Sequence, residues 1–516
     1  MQVEAFLESS AARLPDRVAL VCEERRLTYQ RLEEDSNRLA HALTRLGVAR
    51  GDRVGMCLDN GTDAVITIFA VLKAGAVLAP LSPAIKPEKL AYIIRDSGLR
   101  VLVTKSAVTA ALESHDSGAP ELKNVVVAGP AHDAQSGRYP VIPLDGLLNE
   151  FDGHVTPPAK RSIDMDLAAL LYTSGTTGRP KGVMLSHFNM VAAATSVIEY
   201  LRNDSRDVIL NVLPLSFSYG LYQALTAVRV GATFVLERSF AYPHTVIERL
   251  VAENVTGFAI VPTIASMLLQ LDLTAYSFPA LRYLTNAGAG LPMSQVQRLR
   301  TLFPGVDLFL MYGLTECKRV SYLPPDEVTS RPGSVGKPMP NVEAYVVDEH
   351  GYTLPANEVG ELVVRGSNVM RGYWNLPDET ARTLREGPLP GERVLHTGDL
   401  FRIDEEGYLY FVGRRDDMIK SRGEKVSPSE VENVLYQLEG VSMAAVVGVP
   451  DYDRGMAVKA FIVPAEGVNL NEKDVLRHCA ARLEAFMIPK EVEFRQSLPR
   501  NASGKIDKRE LISAQP

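Results

Sequence analysis

Cysteine is scarce in this chain, with four residues among 516. Cys22, Cys57, Cys317 and Cys479 lie far apart, form no Cys-x-x-Cys pair, and do not combine with the nine histidines into a spacing typical of zinc sites. The sequence therefore excludes a disulfide framework and predicts reduced, structural thiols in a cytoplasmic protein.

An excess of positive charge and long apolar runs are also missing. The chain has 55 Lys and Arg against 62 Asp and Glu, a net charge of -7, and a pI near 5.8. This balance argues against nucleic acid or an anionic membrane as a partner. The most apolar early segment, residues 64–72, is too short to span a bilayer, and the amino terminus lacks the pattern of a signal peptide. We therefore expect no transmembrane segment.

The chain is long enough for roughly three domain-sized units, and its first 400 or so residues alternate helical patterns with short β-rich runs. Apolar residues at helical spacing predict a helix over 32–46 after a cap at Thr28, and residues 101–103 and 125–127 predict buried strands. Such alternation predicts an α/β fold with parallel layers.

The pattern changes twice toward the carboxyl end. Residues 342–366 predict antiparallel or barrel-like strands around a turn at 350–351. After residue 413 a compact α+β unit is expected, with helices over 428–438 and 471–483 and strands over 443–449, 457–463 and near Val492. We place the domain boundary between residues 1–413 and 414–516.

A run of hydroxyls, glycines and cations follows the apolar stretch 167–171. Glycines let the backbone approach an anion, N–H groups and hydroxyls donate to phosphate oxygens, and a lysine adds positive charge. A Walker-type loop needs its lysine directly after the second glycine, but Arg179 and Pro180 intervene here. A surface loop rich in turn formers is the ordinary alternative. The residues predicted to bind a polyphosphate are Thr173, Ser174, Gly175, Thr176, Thr177, Gly178 and Lys181.

Further motifs follow in order along nearly the whole chain. They are Leu-Thr-Tyr at 27–29, Lys-Ala-Gly-Ala at 73–76, Tyr-Gly-Leu-Thr-Glu at 312–316, Thr-Gly-Asp at 397–399, Gly-Arg-Arg-Asp-Asp at 413–417 and Asn-Ala-Ser-Gly-Lys at 501–505. With the loop, they make the chain resemble the AMP-forming adenylating superfamily: acyl- and aryl-CoA synthetases, peptide-synthetase adenylation domains and firefly-type luciferases. It is most similar to a stand-alone acyl-CoA synthetase or acyl-AMP ligase.

The resemblance implies a fold and an activity. The fold is a large N-terminal domain of two layered α/β lobes plus a small β-barrel, followed by a small, mobile α+β C-terminal domain. The activity is ATP-dependent conversion of a carboxylic acid to an acyl-adenylate, with release of pyrophosphate. The acyl group then passes to the thiol of CoA or of the phosphopantetheine on a carrier protein.

Adenylation develops charge on the α-phosphate, so the protein must supply positive charge and hydrogen-bond donors. The resemblance implies that Lys505 bridges the carboxylate and the α-phosphate, that Glu316 binds Mg²⁺, and that Thr176 of the loop joins them in catalysis. The ordinary alternative for Lys505 is an exposed, solvated lysine. A carboxylate beside a triphosphate is best explained as a metal ligand, because it would otherwise repel ATP.

The resemblance also implies a set of nucleotide-binding residues. Asp399 would accept hydrogen bonds from the ribose hydroxyls, with a turn-stabilising role as its alternative, and Arg414 would contact ribose or phosphate. The small-residue turn at 286–290 would form the adenine platform and a wall of the acyl pocket, or serve only as a tight turn. The remaining residues of this set are Gly288, Ala289, Tyr312, Gly313 and Thr315.

For the second half-reaction, relatives rotate the C-terminal domain, and Asp416 matches the hinge. Lys420 and Gly423 belong to a loop, residues 420–425, that would then reach the site for thioester formation, Gly423 giving room for the pantetheine arm. The alternative is a solvated, charged loop. The chain ends eleven residues after Lys505, so any carrier protein is expected to come from outside.

Substrate class should be decided between residues 213 and 225. Phe217, Ser218 and Gly288 are the predicted acyl-binding residues. Relatives that activate α-amino acids usually have an aspartate after this phenylalanine to hold the ammonium group, and this chain has Ser218. Burying an unpaired ammonium is costly, so we expect a small carboxylic acid without an α-amine. A secondary amine such as that of proline stays open.

A second departure is the pair Lys318 and Arg319 directly after Glu316-Cys317. It is interpreted either as surface charge or an internal salt bridge, or as a partner for a second carboxylate on the substrate or for phosphates of the acceptor.

The competing functions are a discrete amino-acid adenylating enzyme that loads a carrier, a luciferase-like oxygenase, and a non-catalytic nucleotide-binding module. Nothing in the sequence specifically supports the oxygenase. Retention of both Glu316 and Lys505 argues against the non-catalytic module.

Overall fold

The computed structural model describes residues 1–114, 120–129, 139–160, 162–174, 179–421, 424–451, 455–501 and 505–513. Its strands are β1 Val18–Cys22, β2 Arg25–Thr28, β3 Arg53–Cys57, β4 Val77–Pro80, β5 Leu99–Lys105, β6 Asn124–Ala128, β7 Val141–Pro143, β8 Leu167–Ser174, β9 Pro180–Ser186, β10 Val208–Asn211, β11 Thr233–Leu236, β12 Gly257–Ile260, β13 Tyr283–Asn286, β14 Asp307–Tyr312, β15 Ser321–Leu323, β16 Lys337–Pro338, β17 Val342–Val347, β18 Val359–Gly366, β19 Gly372–Tyr373, β20 Leu384–Glu386, β21 Arg393–Ile403, β22 Leu409–Arg414, β23 Ile419–Ser421, β24 Glu424–Val426, β25 Val441–Asp451, β26 Gly455–Pro464 and β27 Glu491–Phe494.

Helices alternate with these strands over most of the chain, and short 3₁₀ turns occupy Pro325–Glu327 and Arg415–Asp417. The helices are α1 Ala5–Arg13, α2 Tyr29–Arg45, α3 Thr62–Lys73, α4 Pro87–Ser97, α5 Ser106–Ser114, α6 Leu144–Glu150, α7 His187–Leu201, α8 Ser218–Val230, α9 Pro243–Ala252, α10 Pro262–Leu268, α11 Met293–Leu302, α12 Pro377–Thr383, α13 Pro428–Leu435, α14 Glu472–Ala480 and α15 Lys508–Ser513.

Two large, mainly parallel sheets form the first part of the molecule. The first has the order β16-β15-β14-β13-β12-β10-β11-β1-β2 and is parallel from β14 to β1. The second has the order β19-β9-β8-β4-β3-β5-β6-β7 and is parallel from β8 to β7. Helices cover their faces, as parallel sheets require, so the predicted α/β class with two layered lobes is confirmed.

The two sheets share one hydrophobic core. Leu20 and Phe234 from the first sheet belong to the same buried cluster as Val54 and Leu78 from the second. Helix α3 lies within this core, and its last residue, Lys73, is buried but paired with Glu33 at 2.7 Å. The predicted helix after Thr28 is α2, whose first turn is capped by the Thr28 hydroxyl accepting from the N–H of Arg31.

A five-stranded antiparallel sheet occupies the place of the predicted small barrel. Its order is β17-β18-β21-β20, with β22 paired to the same edge of β21 as β20. Leu362, Leu395, Phe401 and Leu409 extend the main core into this sheet. It therefore carries the Thr397–Asp399 motif on a strand that packs directly against the larger lobes.

A fourth sheet follows residue 414 and has the order β24-β23-β26-β25, with β27 beside β26. Helices α13 and α14 pack on one face around Val431 and Val475, and Leu511 of α15 lies on the other face. The helices end at Leu435 and Ala480, three residues before the predicted ends. The apolar pattern continues there, but the backbone tightens into i→i−3 turns, as in the bond from the N–H of Leu438 to the carbonyl of Leu435.

Throughout the residues with assigned positions, no helix is both long and apolar enough to cross a bilayer.

Candidate active site

The site lies at the carboxyl ends of four parallel strands of the first sheet, β10, β12, β13 and β14. The segments 212–217, 287–292 and 313–320 follow three of these strands and therefore meet at one edge. In open α/β sheets, ligands bind at this edge because the loops that leave the strands converge there. All the motifs predicted around residues 217, 288 and 316 belong to these loops.

Asp399 is the buried carboxylate of the site. It is 4% exposed, accepts a hydrogen bond from Tyr312 Oη at 2.6 Å, and lies 3.3 Å from Arg414 Nε. Burial raises the pKa of Asp399, while the charge of Arg414 and the Tyr312 hydrogen bond oppose the rise. Both carboxylate oxygens thus contact side chains from other strands, an arrangement that favours the predicted ribose-binding role over a turn-stabilising one.

Glu316 is held in place by its own backbone and by an aromatic side chain from another element. Its carbonyl accepts from the N–H of Met370 at 2.7 Å, and its Oε1 accepts from Tyr373 Oη at 2.8 Å. Among the described residues, Oε2 makes no hydrogen bond or ion pair. Mg²⁺ commonly takes one or two protein carboxylates and completes its shell with water and substrate phosphates. One oriented carboxylate of this kind fits such an ion.

Lys505 reaches the same place from the end of the chain. Its Cε lies 3.4 Å from where a β-carbon on Gly288 would stand. By surface area the residue as a whole is exposed to solvent, but its ammonium end lies among protein groups that desolvate it. This burial, helped by the charge of Arg414, lowers the pKa of Lys505, whereas Asp399 and Glu316 act to raise it. Four predicted residues, Glu316, Asp399, Arg414 and Lys505, therefore form one electrostatic cluster.

The predicted phosphate loop joins β8 to β9 as a hairpin. Thr173 pairs in register with Lys181, and Ser174 with Pro180. The tip of the loop lies outside the described residues, and with it the predicted ligands Gly175, Thr176, Thr177 and Gly178.

Lys181 stands at the base of this hairpin. Its ammonium group is 2.8 Å from Glu379 Oε2 and 5.3 Å from the ring centre of Tyr373. Neither Tyr373 nor Glu379 was predicted as a site residue, because neither belongs to a motif and Tyr373 lies 57 residues from Glu316 along the chain. Tyr373 connects the base of the phosphate loop to the predicted metal ligand.

The small residues of the site allow close backbone approach at two points. Gly288 has a φ of 91°, which favours glycine, and the neighbouring Ala289 carbonyl accepts from Asn286 Nδ2 at 3.0 Å. A β-carbon on Gly313 would lie 2.4 Å from the carbonyl oxygen of Lys318. Thr315 follows in the same loop.

The predicted acyl-binding residues begin α8. Phe217 is the cap residue of the helix and Ser218 its first residue. Lys318 Nζ donates to the carbonyl of Ser218 at 3.3 Å, and burial lowers the pKa of Lys318 well below its usual value. Lys318 and Arg319 are 5% and 3% exposed and, among residues with assigned positions, form no salt bridge. The interpretation as surface charge or an internal salt bridge is wrong.

The predicted hinge residue Asp416 lies in the 3₁₀ turn between β22 and β23. Lys420 follows in β23, is exposed, and pairs in register with Lys425 of β24. In the part of the chain with coordinates, no hydrogen bond or ion pair joins Lys420 to the cluster around Asp399. Gly423 lies outside the described residues.

Comparison with known proteins agrees with this geometry. The model of the AMP-binding enzyme family matches residues 7–374, and the model of the AMP-binding enzyme C-terminal domain matches residues 430–505. The chain therefore belongs to the AMP-binding enzyme family.

Similar proteins include both stand-alone ligases and much longer enzymes. The long-chain-fatty-acid–CoA ligase of Bacillus subtilis (strain 168) is 31% identical, over 99% of this chain and 94% of that protein. Tyrocidine synthase 3 of Brevibacillus parabrevis is 31% identical over 99% of this chain, which spans only 8% of that relative. A crystal structure of an anthranilate CoA ligase with anthranoyl-AMP has a TM-score of 0.89 and 29% identity, covering 100% of this chain and 97% of that one.

Fold, site and family together define an AMP-forming acid–thiol ligase. The protein uses ATP to activate a carboxylic acid as an acyl-adenylate with release of pyrophosphate, and transfers the acyl group to the thiol of CoA or of a carrier protein.

Proposed function

We propose that the cluster of Glu316, Asp399, Arg414 and Lys505 is the adenylation centre, and that it activates a small carboxylic acid without a primary α-amine. The observation that carries the proposal is the approach of Lys505 to Gly288 of the first sheet, within the electrostatic reach of half-buried Glu316 and buried Asp399. These groups come from three separate regions of the chain. Their convergence at the carboxyl edge of a parallel sheet is what a nucleotide-activating site requires.

In the first half-reaction, the substrate carboxylate attacks the α-phosphate of ATP. Lys505 supplies positive charge where negative charge develops in the transition state, and Arg414 adds to it. Asp399, oriented by Tyr312, accepts hydrogen bonds from the ribose hydroxyls and thereby positions the nucleotide. Glu316 would hold Mg²⁺, which when bound neutralises charge on the phosphate oxygens. Thr176 and the rest of the loop 173–178 would hold the leaving pyrophosphate, with Lys181 at its base.

The absence of an α-amine follows from the charges around the acyl pocket. Ser218 stands where an ammonium-binding aspartate would be, and its carbonyl accepts a hydrogen bond from Lys318 Nζ, with Arg319 as the next residue of that loop. The guanidinium of Arg319, which stays charged in proteins, lies 5.3 Å from the ring centre of Tyr219 in the same helix turn and repels an ammonium group instead of binding it. A discrete amino-acid adenylating enzyme, for example one that activates proline, is the second candidate, because one similar protein is a tyrocidine synthase.

For the second half-reaction, residues 414–516 would act as a mobile lid that turns about Asp416. With Lys505 in the site, the present arrangement suits adenylate formation. After rotation, Lys420 and Gly423 would approach the adenylate together with the thiol of CoA or of a carrier protein. The four cysteines are free and buried, which supports placing the enzyme in the reducing cytoplasm.

A carboxylate panel read by ATP–pyrophosphate exchange tests the function. We expect exchange with acids that lack a primary α-amine, and Ser218→Asp should weaken it by placing an unpaired carboxylate in the pocket. Strong exchange with ordinary α-amino acids alone would favour the second candidate. An oxygen electrode in the same assay tests for a luciferase-like oxygenase, for which we expect no oxygen uptake.

A further inference from the structure

Two adjacent cations are buried on the loop that follows β14. Lys318 and Arg319 expose 5% and 3% of their surface. In the part of the chain that has coordinates, no carboxylate lies within ion-pair distance of either. Burying one unpaired charge is costly, and two neighbouring charges of the same sign also repel each other. Arg319 therefore carries a positive charge that the described protein does not neutralise. Lys318, whose pKa is lowered well below its usual value by burial and by the charge of Arg319, would become the second cation when an anion binds.

Aromatic rings and one carbonyl surround the two cations. Lys318 Nζ lies 4.6 Å from the ring centre of Tyr222 and 5.1 Å from that of Tyr219, besides donating to the carbonyl of Ser218. The guanidinium carbon of Arg319 lies 5.3 Å from the ring centre of Tyr219. Arg319 also makes a side-chain hydrogen bond with Tyr200. Ring faces attract cations, but neither the rings nor a tyrosine hydroxyl carries the formal negative charge that would pair with a guanidinium.

Arg319 is the less satisfied of the two. Its Nε is buried without a hydrogen-bond partner among the residues with coordinates. A guanidinium group has five N–H donors in a fixed fork that matches a carboxylate. The guanidinium group is buried and charged, and one of its donors is unpaired. These properties are expected of an arginine that binds an anionic ligand.

The backbone holds this pair in a fixed place. Asn368 Nδ2 donates to the carbonyls of both Cys317 and Arg319, at 2.7 and 2.8 Å. Lys318 has a positive φ of 62°, which is uncommon for a residue other than glycine and is found at functional sites. The backbone of Gly313 packs so closely on Lys318 that a β-carbon would clash. The cations are thus positioned by several independent contacts.

Their neighbours belong to the acyl pocket. Ser218 and Tyr219 form the first turn of α8, and Tyr219 Oη donates to the carbonyl of Thr285 at 2.9 Å, next to the 286–290 wall. Two more buried polar atoms on these segments, Ser216 Oγ and Asn286 Oδ1, have no partner in the described chain. Buried polar atoms without a described partner therefore lie on three segments around this pocket, at Ser216, Asn286 and Arg319.

We propose that Lys318 and Arg319 form an anion-binding subsite of the acyl pocket, and that the acid activated by this enzyme carries a second anionic group, such as a second carboxylate, distant from the one that reacts. The inference rests on the proposed adenylation function and specifies its substrate class. The reacting carboxylate would lie near Lys505 while Arg319 binds the second group through paired N–H donors, with Lys318 as the second cation.

The test compares acids that differ only in the second group. A chain-length series of α,ω-dicarboxylates is assayed by ATP–pyrophosphate exchange beside the monomethyl ester of each diacid and the monocarboxylate of equal length. The ester keeps the size of the diacid and removes the charge. We expect the best diacid to exceed its ester in kcat/KM by on the order of 10- to 100-fold, as for a hydrogen bond between charged groups.

Arg319→Met and Lys318→Met should lower the ratio of diacid to ester in kcat/KM, and Arg319→Lys should restore part of it because it keeps the charge. If wild-type enzyme uses monocarboxylates and esters as well as diacids, the subsite is refuted while the adenylation function stands. This comparison needs no variant, so it decides the question even if a variant fails to fold. If no acid of any kind gives exchange, the proposed function itself fails.

Discussion

Lys505 lies just before α15 and meets residues that precede it by between 91 positions, for Arg414, and 217 positions, for Gly288. Because its charge serves the transition state rather than the bound ground state, we expect Lys505→Ala to lower kcat for adenylation by on the order of 10²-fold or more, with ATP binding largely kept. Lys508→Ala is the matched control, since Lys508 pairs with Glu432 at 2.6 Å. Pyrophosphate exchange within a few-fold of wild type in Lys505→Ala would remove Lys505 from the site.

At the scale of the element, the turn after β14 depends on a residue without a side chain. A β-carbon on Gly313 would lie 2.4 Å from the Lys318 carbonyl oxygen and 2.9 Å from the Arg319 Cα. These are backbone atoms that cannot swing away, so Gly313→Ala should lower the free energy of unfolding by about 1–3 kcal/mol. In Gly290→Ala, the control, the new β-carbon has nothing within 4 Å. Equal urea midpoints for the two variants would contradict this account.

A buried carboxyl at the start of α1, that of Glu4, makes the free energy of unfolding depend on pH. Glu4 is buried, its Oε2 has no hydrogen-bond partner among described atoms, and desolvation raises its pKa from 4.5 to about 7. Its neighbour His187 accepts from the N–H of Val3 through Nδ1, and burial lowers the pKa of His187 to about 4. The folded protein therefore favours protonated Glu4, and the stability that this carboxyl contributes below pH 4.5 is lost as the pH rises toward 7.

Glu4→Gln imitates the protonated carboxyl at every pH. The free energy of unfolding of Glu4→Gln should exceed that of wild type by less than ~1 kcal/mol near pH 5 and by about 3 kcal/mol near pH 8. The opposite contribution of His187 is present in both proteins and cancels in the difference. Denaturant titrations across this range measure the gain, and a gap that stays constant or narrows with rising pH would show that Glu4 ionises normally.

At the scale of the whole molecule, the proposed rotation of residues 414–516 would give the two half-reactions two arrangements of one site. Asp416 lies in a 3₁₀ turn, whose φ suits proline. Asp416→Pro should therefore hold the present arrangement, in which Lys505 faces the site. We expect pyrophosphate exchange to survive and thioester formation to fall by on the order of tenfold or more. Asp416→Ala removes the side chain without fixing φ and serves as the control. Equal, modest losses in both assays would place the pivot elsewhere.

Local patterns in the sequence were sufficient for much of the fold. The cap at Thr28, the apolar spacing of α2 and the β-rich runs of β5 and β6 depend on neighbours within a few residues, so they could be recognised without tertiary information. The motifs at 312–316, 397–399 and 501–505 pointed to Glu316, Asp399 and Lys505 for the same reason. Helix ends were harder to predict, because the apolar pattern continues past α13 and α14 while the backbone tightens into i→i−3 turns.

The sequence by itself determined the class of the fold, the family, and which short segments contain the candidate site residues. These properties depend on residues that are close together along the chain. Only the tertiary structure decided that Tyr373 links Glu316 to Lys181, and that Lys318 and Arg319 lie buried beside Ser218 without a carboxylate partner among the described residues. Burial and pairing of a charge depend on what distant segments place around it. A charged dipeptide has the same local pattern on the surface as in a pocket, so only packing distinguishes a solvated pair from a binding site.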